Sequence, residues 1–140
     1  MALLSVASLY FLLWSSIPQY DGHRSSKHVN EVVIIDRDEL GVPTVKAKSR
    51  ETVSYGIGFC HGQNRFFQMD LQRCSAAGEL SALFGVGTLH LDKANRIHGF
   101  RERAKLLLAT LPDNEKALLE HYSRGVNEGL ASLKTRPPEY

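Results

Sequence analysis

Six histidines, at positions 23, 28, 61, 90, 98 and 121, are the side chains best suited to metal or proton-transfer chemistry. Their spacing does not support it. No His-x-x-x-His pair backed by a glutamate occurs, and Cys60 and Cys74 form no Cys-x-x-Cys, so no metal ligand set is named. His61 falls inside an apolar run and reads as a hydrogen-bonded core histidine. Gly85-Val86-Gly87 lacks the Lys-Ser/Thr of a phosphate loop and the preceding strand of a dinucleotide fold, and reads as a helix-ending turn. Ser75 and Ser81 lie beside helix breaks and read as surface or capping residues. Arg65, Gln68 and Asp70 are polar positions on an otherwise apolar helix, and are expected to organise polar contacts inside a scaffold. The sequence assigns no catalytic, cofactor-binding or metal-binding residue.

The element that carries most of these residues is unusual. A helix is predicted from an N-cap at Ser49, with Glu51 in its first turn, to about Ala76. It contains Gly56, Gly58 and Gly62, each costing roughly 1 kcal/mol relative to alanine in a helix interior. Val53, Ile57, Cys60, Phe67 and Leu71 occupy one face, and Tyr55, Phe59, Phe66 and Met69 the others. A helix that is apolar all round is buried, and its glycines let neighbouring backbones come close. On one continuous helix Cys60 and Cys74 are roughly 21 Å apart. A disulfide needs Cα atoms within about 7 Å, so both are expected as buried free thiols.

Before that helix, residues 31–37 read as a strand, because Val32-Val33-Ile34-Ile35 is β-branched throughout. A continuous apolar run suits a strand covered on both faces. Gly41-Val42-Pro43 turns the chain, and Thr44-Val45-Lys46-Ala47 returns as the second strand of a hairpin. After the helix, Gly78 is a break, residues 80–84 a short helical turn, and Leu89, Leu91, Ala94, Ile97 and Phe100 a helical spacing that continues into Leu106-Leu107-Leu108. Thr110-Leu111-Pro112-Asp113 separates this from a last helix with Ala117, Leu118, Tyr122, Val126 and Leu130 near one face.

A chain of 140 residues with 43% hydrophobic content has enough apolar side chains for a core. Net charge is +2, the pI is about 8.6, and the basic residues are scattered without interleaved aromatics. That gives nucleic-acid binding no support. Residues 1–18 carry no charge and include Ala7-Ser8-Leu9-Tyr10-Phe11-Leu12-Leu13-Trp14, as expected of a signal peptide or an uncleaved membrane anchor through residues 2–14. Residues 19–30 read as a polar linker. The location this implies is periplasmic or secreted.

Four collinear segments resemble the first, or alpha, subunit of the penicillin acylase (penicillin amidase) family of N-terminal-nucleophile hydrolases. They are Arg37-Asp38-Glu39-Leu40-Gly41-Val42-Pro43; Gly56-Ile57-Gly58-Phe59 with Gln63-Asn64-Arg65-Phe66-Phe67-Gln68-Met69; Gly78-Glu79-Leu80-Ser81-Ala82-Leu83-Phe84-Gly85; and Tyr122-Ser123-Arg124-Gly125-Val126-Asn127. Ser16-Ile17-Pro18-Gln19-Tyr20-Asp21-Gly22 is similar to the lead-in of many bacterial members. Three positions depart from the pattern: Asn64 stands where the family usually has Asp, Ala82 where it usually has Glu, and Thr44 where His is common. The first two remove carboxylates that would partner Arg65 and Arg73. A buried arginine left without its carboxylate costs several kcal/mol.

The resemblance implies an α+β fold, the N-terminal portion of an αββα N-terminal-nucleophile hydrolase, here a short strand hairpin followed by mainly helices. It makes residues 31–140 an incomplete domain, with Pro137-Pro138-Glu139-Tyr140 a loop within the subunit. It implies hydrolysis of a linear N-acyl amide, of penicillin or acyl-homoserine-lactone type. The nucleophile would be a serine that becomes the first residue of the second, beta subunit when the precursor cleaves itself, with its own α-amino group as base. No serine in this chain matches that cleavage site. Calcium is implied for the full-length protein, with ligands beyond residue 140, and the implied partner is the remainder of the precursor. The alternatives are a membrane-anchored helical interaction module without catalysis and an inactive truncated acylase remnant.

Overall fold

The computed structural model describes residues 6, 10, 11, 13, 14 and 17–135. Most of the expected signal or anchor segment 1–18, and the loop expected at 137–140, lie outside the described residues. Element order is β1 (Ile34–Arg37), β2 (Pro43–Lys46), α1 (Arg50–Asn64), α2 (Phe66–Ala77), α3 (Ser81–Phe84), a 3-10 turn (Gly85–Thr88), α4 (Leu89–His98), α5 (Phe100–Thr110) and α6 (Asp113–Ala131). The expected α+β arrangement, a short antiparallel hairpin followed by helices, is what the chain adopts. Two compact units divide it: Met1–Phe66 with Ala117–Tyr140, and Phe67–Lys116.

In the first unit the hairpin is set by its turn. The Asp38 carboxylate accepts from the Leu40 and Val42 N–H groups at 3.0 and 2.8 Å, and Gly41 takes φ +78°. Only glycine adopts that angle at no steric cost. The register that follows pairs Ile34 with Lys46 and Arg37 with Pro43, so proline starts its strand, where a missing N–H is tolerated. Two expectations are corrected here. The strand spans four residues instead of 31–37, because its partner is only four residues long. Nor are both faces covered: Ile34 and Asp36 are exposed while Ile35 and Arg37 are half-buried, the alternation of a one-sided sheet.

Ser49 caps α1 as expected, its side chain accepting from the Thr52 N–H. The single helix expected to about Ala76 is, however, two helices. Arg65 leaves the helical basin at φ −137°, ψ 14°, its N–H still reaching His61 O at 2.8 Å, and α2 starts afresh at Phe66. The face expected to be buried is also different. Ile57 is exposed, and the buried positions are Thr52, Tyr55, Gly56, Gly58, Cys60 and Gly62.

Glycine dominates that face because α6 lies against it at backbone contact. A β-carbon on Gly58 would overlap the Tyr122 carbonyl oxygen, and one on Gly62 the Val126 carbonyl oxygen. Reciprocally, Gly125 would strike Tyr55 O and Gly129 would strike Phe59 O. Both helices thus present a Gly-x-x-x-Gly pair to each other, spaced one turn apart. The contacts advance together along both chains, so α1 and α6 run parallel. On a further side of α1, a β-carbon at Gly56 would stand 2.6 Å from Val45 Cγ1 and 2.8 Å from Val33 Cγ1, so this glycine seats the hairpin.

In the second unit, Gly78 at φ +67° ends α2, with its N–H on Ser75 O and the Glu79 N–H on Cys74 O, a left-handed helix cap. Gly99, at φ +61°, separates α4 from α5, which the sequence reading ran together. The His98-Gly99 pair is the signal that could have found this break.

Gly58→Ala should destabilise the chain by about 3 kcal/mol, since overpacking against a fixed backbone outweighs the roughly 1 kcal/mol of helix propensity that alanine regains. Gly87→Ala meets open space and should stay within about 0.5 kcal/mol of the parent. Urea unfolding midpoints of the two variants check this.

Candidate functional site

Within the first unit, residues 19–30 form a strap along α1 and α6. Ser26 Oγ accepts from the Tyr55 hydroxyl at 3.0 Å and from the His28 N–H at 3.1 Å, and donates to Glu128 Oε2 at 2.7 Å. Both lone pairs and the proton of this hydroxyl are therefore engaged. Ser26 pins the strap to α1 and α6 and has no lone pair left for nucleophilic attack. Tyr20 donates to Asn64 Oδ1 at 3.1 Å, and the Arg37 guanidinium stands 4.3 Å over its ring. Between strap, hairpin and α1 lies a cavity of about 550 Å³, with Val33, Ile35, Tyr55 and Phe59 in its lining and Arg24 and His23 among the polar groups around it. That volume is within the range of small-molecule sites.

Along the glycine crossing, polar side chains tie the same two helices. His61 Nδ1 and the Tyr122 hydroxyl share a 2.8 Å hydrogen bond with their rings edge-on, so His61 is the hydrogen-bonded histidine that the sequence indicated. Ser54 donates to Leu118 O at 2.8 Å and Gln63 to Ser132 Oγ at 3.2 Å. Burial pushes the Tyr55 phenol up to about 12, against the pull of the Ser26 hydrogen bond and with help from the Glu128 charge. Burial likewise raises the Cys60 thiol, partly offset by the Arg37 charge, which makes it a poor nucleophile. Cys60 and Cys74 are both free and buried. That conclusion stands, although the continuous helix used to reach it does not exist.

The second unit has its own polar centre. Asp92, 1% exposed, accepts from the Leu80 N–H at 2.8 Å, the Ser81 N–H at 2.8 Å and Ser81 Oγ at 2.5 Å. Arg96 Nε donates to Gly78 O at 2.9 Å, and Arg101 forks onto the Glu79 carboxylate at 2.5 and 2.6 Å. Residues 78–81 are thus held one after another by side chains of α4 and α5. Burial works to raise the Asp92 carboxyl, but the Ser81 hydroxyl, the Ser81 and Leu80 N–H groups and the Arg96 charge outweigh it and hold the pKa below the ordinary value.

Several sequence expectations change. Ser81 is neither a surface nor a capping side chain, since its hydroxyl serves Asp92. Within this chain Arg65 and Gln68 are exposed, whereas Asp70 pairs with Arg73 at 2.7 Å. Within this chain neither arginine is buried without a carboxylate: Arg73 has Asp70, Arg65 faces solvent, and Asn64 accepts from Tyr20. Ser26, Glu128 and Asp92 were missed because their roles depend on partners 11 to 102 residues away, which no local pattern encodes. Among the described residues no three His, Cys, Asp or Glu side chains gather to hold a metal.

Two titrations check this geometry. The raised Tyr55 pKa stabilises the fold fully below the ordinary phenol value near 10, and this contribution is lost as pH rises through about 12. Tyr55→Phe should remove one tyrosine from the late phase of a spectroscopic titration and leave that of Tyr122, whose phenol burial also raises. Asp92 behaves oppositely: its contribution is complete above about 3.9 and is lost as pH falls through its lower folded value. Thermal melts of Asp92→Asn should fall well below the parent at neutral pH and converge with it in acid.

The chain has relatives among known proteins. The family model described as penicillin amidase matches residues 32–140. A penicillin acylase 2 proenzyme from a Pseudomonas species is 31% identical over 91% of this chain and 16% of its own length. Acyl-homoserine lactone acylase QuiP of Pseudomonas aeruginosa is 28% identical over 88% of this chain and 14% of its own. Among solved structures, a thermostable penicillin G acylase from Alcaligenes faecalis superposes with a TM-score of 0.68 at 31% identity, over 79% of this chain and 58% of that one. The chain therefore spans only a small part of the curated relatives it matches. With a match covering more than two thirds of its residues and this shared fold, the chain belongs to the penicillin amidase family.

Proposed function

We propose that residues 1–140 form the front of an exported acylase precursor that hydrolyses a linear N-acyl amide, of penicillin or acyl-homoserine-lactone type. The nucleophile in this reading is an N-terminal serine outside these residues. Family membership across residues 32–140 supports the reaction class, and both substrate types appear among the relatives' names. Calcium, where the whole enzyme takes it, would be bound by other residues. The uncharged stretch before Asp21 supports a periplasmic or secreted location.

The observation that carries the reading is how the second unit distributes its side chains. Its buried ones are Cys74 and the charged Asp92, while Val86, Ile97 and Leu106 are 87%, 83% and 72% exposed and Phe84, Leu107 and Leu108 are exposed beside them. A unit with a carboxylate inside and leucines outside is built to be covered. The cover we propose is the remainder of its own precursor. The role of this segment is then structural: the glycine crossing and the Asp92 clamp hold two rigid surfaces against which the second subunit forms.

Residues 1–140 alone are expected to release no acyl group from penicillin-type or acyl-homoserine-lactone amides. The continued precursor is expected to split in two and then hydrolyse one of them. Acyl release by the segment alone, or a continued precursor that neither splits nor hydrolyses, would overturn the reading.

A further inference from the structure

The strap is pinned at two points, and the cavity beneath it lies between them. Tyr20 is held by Asn64 and by the Arg37 guanidinium over its ring, and Ser26 by Tyr55 and Glu128. The exposed residues between the pins, Asp21-Gly22-His23-Arg24-Ser25, carry no apolar side chain. Across the space of about 550 Å³, Val33, Ile35, Tyr55 and Phe59 supply an apolar wall that the strap does not fill. Asp21, Arg24 and Glu31 also line it, and among the described residues none of the three has an ion-pair partner. Asp21 adjoins the Tyr20 pin and Glu31 precedes β1. Arg24 is the one of the three whose charge reaches the Tyr55 hydroxyl.

We propose that this cavity binds a small carboxylate with an aliphatic tail, the tail on the apolar wall and the head on Arg24. An apolar wall beside a polar strap gains from a ligand that removes it from water. A guanidinium matches a carboxylate in geometry and charge, and its hydrogen bonds to one are stronger than those between neutral groups. The two pins keep the space open, so little ordering of the strap accompanies binding. The binding proposal does not rest on the acylase reading, and either can fail without the other.

Calorimetric titration of the full chain with decanoate should show one saturable site. Decanol, with the same tail and no charge, should bind about tenfold more weakly. Butyrate, with the charge and little tail, should bind about a hundredfold more weakly. Arg24→Gln should bring decanoate down to the level of decanol, and its unfolding midpoint should stay that of the parent because Arg24 is exposed. Decanol binding as tightly as decanoate, or a preference for decanoate that survives Arg24→Gln, would overturn the proposal. In the continued precursor the Arg24-dependent binding should persist. Its loss there would also overturn the proposal, since the chain's own continuation would then be filling the cavity.

Discussion

The backbone contact between α1 and α6 is the constraint on which the first unit depends. Four glycines, two on each helix, remove the side chains that would otherwise hold the axes apart. Carbonyl oxygens of each helix then occupy the space where the other would have carried β-carbons. Packing at this distance resists sliding by a turn, because the positions one turn before Gly58 and Gly125, Ser54 and His121, carry side chains. The polar ties between His61 and Tyr122, Ser54 and Leu118, and Gln63 and Ser132 form only in this one register. The helix-propensity cost of the glycines is thus offset by dispersion contacts and hydrogen bonds that no bulkier residue permits.

The second unit follows a different principle. No large apolar side chain is buried among its described residues, and its fixed point is the Asp92 carboxylate with three donors on it. A buried carboxylate is tolerable only when its hydrogen bonds are complete, and here they are. The arrangement fixes residues 78–81 by direction, which apolar packing cannot do. It also leaves the leucines of α5 available to a partner.

Local chemistry made much of this legible in the sequence. The turn at Gly41-Val42-Pro43, the Ser49 cap and the break at Gly78 each follow from a residue whose preference acts within a few positions, whereas His61 was read from its apolar surroundings alone, its partner Tyr122 lying 61 residues away. The glycines of α1 correctly indicated close backbone approach, but not that Gly125 and Gly129 would answer them from α6. The break at Arg65 carries neither glycine nor proline, so nothing local announces it. Apolar periodicity overstated how much of α1 is covered in this chain: Ile57 is exposed where a wrapped helix would bury it. Ser26 and Asp92 were illegible because their meaning lies in groups the fold brings from elsewhere.

Parallel neighbours cannot be joined by a short loop, and the intervening second unit supplies the crossover. Ser54 and Gln63 consequently find partners 64 and 69 residues further along. During synthesis at about 5–20 residues per second, α1 leaves the ribosome several seconds before the helix that completes it. A glycine-bearing segment in that interval has little intrinsic helicity of its own, and its aromatic residues stay open to improper contacts. The contacts that complete α1 are thus non-local, the kind that loop-closure entropy makes slow to form.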